Sequence, residues 1–327
     1  MGHDSTASIS APVTRWRLGK SLVSRKYVAP GAVLALAIGA ALRLPITTQE
    51  AYVFVHFIRP PLRDLLGAFD PANHVLETLL AKRAVGLLRL SAFSLRVPGL
   101  AGVALCLWAA ARLARGRWWW AALAGIACLA VEYAAPGAAM ALGLGLWSCA
   151  LAAAAGKPRR PNLAGLCLGL SIAANLCFVL PSAMLAIWLA WRIADVRAWL
   201  ERVVVTATVT AFLFLVLPFS HAGARQLAAL CLPPPLHLNR DPEDLSGLVA
   251  ALRRDAQGAT VRIAATPEAE PVLEYYQARY REGRWRILPY PSQADYAVVD
   301  SRRTAIPGRI LYRGRTMVLA REGRAGT

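Results

Sequence analysis

A chain of 327 residues that is 57% hydrophobic, with a mean hydropathy of +0.43, is too apolar for an ordinary water-soluble domain. Its formal charge of +18 is carried by Arg and Lys scattered through short loops, which argues against a nucleic-acid partner and for cations that set membrane topology and meet lipid headgroups. Cys106, Cys128, Cys149, Cys167 and Cys177 lie inside apolar runs, where thiols behave as small hydrophobes, and Cys231 alone falls outside them, so no disulfide framework and no zinc spacing is present.

Residues 1–26 are polar and basic, with Arg15, Arg17, Lys20, Arg25 and Lys26, and read as a cytoplasmic tail. Residues 27–44 are long enough to span as an uncleaved first helix. The loop 47–94 is a charged island between apolar runs. Its Val75, Leu79, Leu80, Val85, Leu87 and Leu88 are spaced to share one face with the charges opposite, which predicts helices lying flat at the membrane interface. A second span, 95–113, ends at Arg112, Arg115 and Arg117, and Trp118, Trp119 and Trp120 follow where an interfacial aromatic belt belongs. A third runs to about Val131 and reaches Glu132. A fourth, 138–155, ends at Lys157, Arg159 and Arg160.

The stretch 162–191 as one helix would be about 45 Å long against a hydrocarbon core of ~30 Å. Pro181 near its middle and Asn175 before it allow a hairpin of two short spans instead. Only the hairpin puts Arg192, Arg197 and Arg202 on the same side as the other basic turns. A last span, 203–218, then exits on the far side.

From residue 222 the composition changes. A Pro-rich linker (222–240, with Pro233, Pro234 and Pro235) leads to a water-soluble α/β domain at 241–327. There Asp241 caps a helix with Pro242 at its first position. A strand (261–265), a helix (267–281) and strands near 285–288, 296–299, 309–312 and 317–320 follow. No glycine-rich phosphate loop, nucleophile elbow or metal cluster stands out in it. Tyr275, Tyr276 and Tyr280 read as a helix packing on the sheet rather than as a glycan-stacking surface. The expected fold is therefore mainly α: a polytopic transmembrane helical bundle of about seven spans over 27–221, with a small C-terminal extracytoplasmic α/β domain. The setting it predicts is multi-pass in a bacterial inner membrane, N-terminus in the cytoplasm and C-terminal domain outside.

Three segments carry a likeness to a known family. From Gln49 the chain reads Gln-Glu-Ala. After a spacer comes Phe-Asp-Pro-Ala-Asn-His-Val-Leu-Glu-Thr-Leu-Leu-Ala-Lys-Arg, ending at Arg83, and then Leu-Ser-Ala-Phe-Ser-Leu-Arg-Val-Pro, ending at Pro98. This resembles the first extracytoplasmic loop of GT-C glycosyltransferases that use polyprenyl-phosphate sugars, of the protein mannosyltransferase and aminoarabinose transferase kind. The resemblance covers residues 45–105 and reaches the later spans only in layout. It implies transfer of a sugar from a polyprenyl-phosphate donor, among membrane lipids, to an extracytoplasmic lipid, glycan or protein acceptor.

On that resemblance Glu50 is the first catalytic candidate, although this chain has Gln49 where the family usually has Asp. Glu132 is the second, although the family often follows that acid with an Arg and this chain has Ala138 and Ala139. A carboxylate suits a base because partial burial raises its pKa, and Arg suits a phosphate because its planar fork matches the oxygens. Asp70, Asn73 and His74 are implied to face acceptor or sugar, with helix capping the plainer role for Asp70. Arg59, Lys82 and Arg83 are assigned to the lipid phosphate, with headgroup contact the plainer role. Arg96 at the start of a span needs a partner, and a loop acid such as Glu50 or Asp70 gives it a structural one. A lone His is no metal site, and the family includes members with and without a divalent cation, so the cofactor stays open. The alternative function is a non-catalytic, degenerate scaffold of the same fold. A transporter would need ionisable residues at the midplane, which the spans lack.

Overall fold

The computed structural model describes residues 17–67, 73–114, 117–134, 139–156, 159–192, 196–219, 245–301, 306 and 308–322. An apolar run can satisfy its own backbone within one segment only along a helix, and helices dominate the described residues. In order they are α1 (Arg17–Arg43), α2 (Thr48–Val53) running into a π-helix (Phe54–Ile58), α3 (Leu62–Gly67), α4 (Val75–Leu88), α5 (Ala92–Leu113), α6 (Trp118–Ala134), α7 (Met140–Ala155), α8 (Pro161–Ala174), a 3₁₀ turn (Leu176–Phe178), α9 (Val179–Arg192) and α10 (Val196–Phe219). Among the described residues two stretches, Ala92–Leu113 and Arg197–Val216, are long and apolar enough to cross a membrane. Val28–Arg43 with Thr48–Ile58, bent by 75° at their break, make up to a third. The other apolar helices are shorter.

Glycine contacts fix which way the helices run. A Cβ on Gly165 would meet the Val203 carbonyl oxygen at 2.6 Å, and one on Gly169 the Ala207 carbonyl oxygen at 2.6 Å. Backbones this close need the small residues found there, and the rising numbers on both sides make α8 and α10 parallel. Leu185 and Leu189 of α9 cluster with Ala164, Cys167 and Leu168, so α9 runs back from the end of α8 towards the start of α10. The break that allows this lies at Asn175, ahead of Pro181. Asn175 leaves the helix with φ −156° and its Oδ1 accepts from the Cys177 N–H at 2.8 Å. Pro181 falls in the first turn of α9, where a missing N–H costs nothing.

The amphipathic face expected of α4 is turned. Val75, Leu76, Ala81 and Ala84 are buried together with Glu77 and Thr78, while Leu80, Leu87 and Leu88 are exposed. The reason is tertiary: α4 lies along α5 and drops Leu76 among Ala139, Leu142 and Ala173 of the bundle. The last span also starts earlier than predicted, at Val196 instead of 203.

The C-terminal domain has a helix α11 (Leu245–Ala256), then β1 (Val261–Ala265), α12 (Glu270–Tyr280), β2 (Trp285–Pro289), β3 (Tyr296–Asp300), β4 (Arg309–Arg313) and β5 (Met317–Arg321). The sheet order is β2-β1-β3-β5-β4, with β1 parallel to β2 and β3, and β5 antiparallel to β3 and β4. The helix predicted from 267 begins at Glu270, because Thr266 to Ala269 first close a turn through Ala269 N–H to Thr266 O at 2.9 Å. The predicted linker and the Asp241 cap lie outside the described residues.

One hydrophobic cluster joins this domain to the loop. Ile46, Ala51, Val53, Phe54 and Phe57 pack with Leu248, Leu252, Val272 and Tyr275. Phe54 and Tyr275 meet edge to face at 5.6 Å, and the Arg59 guanidinium lies 3.6 Å from the Glu274 carboxylate. The domain thus sits on α2 and the π-helix.

Candidate functional site

A buried ion pair holds the loop to the end of the bundle. Thr47 caps α2, its hydroxyl accepting from the Glu50 N–H at 3.2 Å while Glu50 Oε2 accepts from the Thr47 N–H at 2.8 Å. That capping box turns the Glu50 side chain inward and leaves Gln49 exposed. Arg96, one turn into α5, donates from Nε to Glu50 Oε1 at 2.6 Å and from Nη2 to Oε2 at 2.8 Å. Its remaining donors reach the carbonyls of Ala41 (3.3 Å), Leu44 (2.9 Å) and Pro45 (2.7 Å) at the end of α1. A guanidinium has five N–H groups and all five are bonded here. The two side chains are only 9% and 6% exposed. Chemically this is a pin: it satisfies orphan carbonyls at a helix end, neutralises two charges, and fixes α1, α2 and α5 to one another.

The other candidates fall around the pin. Asn73 donates from Nδ2 to the Leu65 carbonyl at 2.9 Å, closing the end of α3. His74 stands half-buried at the N-cap of α4. Asp70 lies outside the described residues. Lys82 Nζ donates to the carbonyls of Ile58 (2.6 Å) and Pro60, and so closes the π-helix. Arg59 reaches across to Glu274, and Arg83 is exposed on α4. Of the three cations assigned to a phosphate, then, Lys82 and Arg59 hold protein groups, and Arg83 faces outward. Glu132 is in the last turn of α6, and its side chain lies outside the description. Its end of the bundle is that of Glu50: α5 starts where α1 ends, and α6 returns along it, with Cys106 Sγ 3.6 Å from the Ala124 carbonyl oxygen and Cys128 Sγ 3.7 Å from that of Ala141.

Two features escaped the sequence. Glu77 and Thr78 are buried at 7% and 1% exposure in the first turn of α4, where an acid reads simply as complementing the helix dipole. Their burial follows from where Leu76 anchors, which no local pattern carries. His56 is exposed within the π-helix, stacked on Tyr52 at 4.1 Å with Nδ1 3.1 Å from the Tyr52 carbonyl oxygen. Such helices gather at functional sites, and nothing in Phe-Val-His-Phe-Ile signals one.

In the α/β domain Tyr280 packs within the helix and against a neighbouring cation. Tyr276 stacks on it at 5.7 Å and the Arg253 guanidinium sits 4.3 Å from its centroid. Burial pushes the Tyr275 hydroxyl up to about 12. Tyr296 is likewise pushed up to about 12, by burial and by its 2.8 Å hydrogen bond to Asp255. Among the described residues no group of three His, Cys, Asp or Glu side chains could hold a metal ion. Compared with protein-family models, curated proteins and solved structures, the chain gives no match.

Proposed function

We propose that this chain is a membrane glycosyltransferase of the GT-C kind, moving a sugar from a polyprenyl-phosphate donor to an acceptor outside the cytoplasm. In this reading α1 and α5 to α10 are seven spans, the basic turns face the cytoplasm, and the loop and the α/β domain lie outside. What carries it is the loop itself. A charged platform of short helices is pinned to the end of an apolar bundle by Glu50 and Arg96 and roofed by a separate domain through α12. A platform at that level can meet both a lipid-borne phosphate and a water-borne acceptor. Because both Glu50 oxygens already accept bonds, the base passes to Glu132, and of the three cations assigned to the phosphate the exposed Arg83 remains for it.

One observation favours a second reading, a non-catalytic relative of the same fold. The exposed position beside the capping box, where the family usually carries its acid, holds the amide of Gln49. Transfer of labelled sugar from purified polyprenyl-phosphate donors, with membranes carrying wild type, Glu132→Gln or Gln49→Asp, separates the two. The enzyme reading expects transfer by wild type and a loss of ~10²- to 10⁴-fold in Glu132→Gln. Transfer by Gln49→Asp alone marks a degenerate relative, and no transfer by any of the three refutes the glycosyltransferase.

A further inference from the structure

At the other end of the bundle, the described residues flanking the turn between α5 and α6 combine exposed cations with exposed indoles. The Arg112 guanidinium folds back one helical turn to lie 5.2 Å from the centroid of Trp108, whose ring is itself 48% exposed. Leu113 beside it is exposed at 37%. Across the turn, Arg117 is exposed, and Trp119 and Trp120 stack on each other at 4.1 Å, 44% and 49% exposed. Neither arginine has a carboxylate partner among the described residues, and residues 101–131 contain no Asp or Glu at all.

We infer that Arg112 and Arg117, with Trp108, Trp119 and Trp120 beside them, form a binding site for the phosphodiester of an anionic glycerophospholipid. Charge complementarity chooses the occupant. A guanidinium drawn back to the level of an exposed indole sits where apolar helix surface gives way to polar turn, and the described residues offer it no carboxylate. A phosphodiester supplies two oxygens for Arg112 and Arg117, while Trp108, Trp119 and Trp120 cover the glycerol and upper acyl carbons, the depth amphipathic rings prefer. A protein or peptide partner would leave the indoles stranded at the lipid level. Free phosphate would use the arginines and leave the aromatic faces without purpose. The inference is independent of any catalytic role for the chain.

The test uses the full-length protein in detergent, titrated with phosphatidylglycerol, phosphatidylcholine or inorganic phosphate, with bound lipid counted by native mass spectrometry and thermal midpoint followed in parallel. Wild type should retain phosphatidylglycerol over phosphatidylcholine, and Arg112→Gln and Arg117→Gln should each weaken that retention roughly fivefold, as ~1 kcal/mol per surface cation implies. Arg159→Gln with Arg160→Gln, on the neighbouring basic turn, should leave it unchanged. Equal retention of phosphatidylcholine, equal protection by inorganic phosphate, or an equal loss in the Arg159/Arg160 variant overturns the site. The last would leave only a diffuse positive surface.

Discussion

The Glu50–Arg96 pair makes a prediction whose size can be worked out bond by bond. Glu50→Gln keeps the shape and one acceptor but leaves the Arg96 charge buried without its counter-ion, which typically costs ~3–5 kcal/mol. Arg96→Leu strands the Glu50 carboxylate on Thr47 alone and also frees the Ala41, Leu44 and Pro45 carbonyls, so it should cost more than Glu50→Gln. Replacing both removes the stranded charge but not the three orphan carbonyls. The double variant should therefore recover ~2–3 kcal/mol relative to the sum of the singles, while staying below wild type. Unfolding in mixed micelles, followed by loss of helical signal in all four proteins, measures this. Additivity within ~0.5 kcal/mol would mean that the charges do not interact, and the pin would be wrong.

Two further outcomes follow from packing and titration. Gly169→Leu drives a side chain into the α10 backbone, where a Cβ alone already meets the Ala207 carbonyl oxygen and the Thr210 Cβ at 2.6 Å. It should lower stability by ~1–3 kcal/mol or more, whereas Gly86→Leu, with nothing within 4 Å, should be near neutral in the same melt. With Tyr275 and Tyr296 held up to about 12 in the fold against the ordinary 10, the unfolded chain loses those protons first. Stability of the α/β domain should accordingly hold up to pH 10 and fall from 10 to 12, and Tyr296→Phe should make the fall shallower. Circular dichroism melts across that range check the slope, and a flat profile in wild type would refute it.

What the sequence made legible was whatever local chemistry decides. The strands of the α/β domain, short β-branched and aromatic runs between turn residues, come within a residue or two of expectation, and Arg112, Arg117 and Arg160 fall at helix ends, whereas Arg197 and Arg202 lie inside α10. A partner for Arg96 is also required by desolvation alone, and Glu50 supplies it. The rest depends on tertiary contacts. Asn175 ends α8 because its side chain can cap the next turn, while Pro181, the louder signal, is harmless at a helix start. The face of α4 is set by where Leu76 anchors, and the duties of Lys82 and Arg59 by carbonyls and a carboxylate far along the chain, at Ile58, Pro60 and Glu274. A capping box can be read from Thr47 and Glu50, but not that it turns the acid away from any substrate.

The docked domain bears on topology by parity. Phe54 and Tyr275 are in contact, so the loop and the α/β domain lie on one side of any membrane the bundle crosses. The chain between them must then cross an even number of times. If α8 and α9 were one continuous span, α5, α6, α7, that span and α10 would make five crossings and carry the domain to the wrong side. The turn at Asn175 splits them into two, and the parallel contact of Gly165 and Gly169 with α10 requires that α9 run back. Six crossings satisfy the contact, as would two or four. Length bears on that choice: 14 residues in α8 and in α9 reach only about 21 Å each, short of a ~30 Å core. Two such helices complete a crossing only where the bilayer thins or their polar ends extend the reach, and the basic residues before α8 and around the start of α10 are placed for that extension.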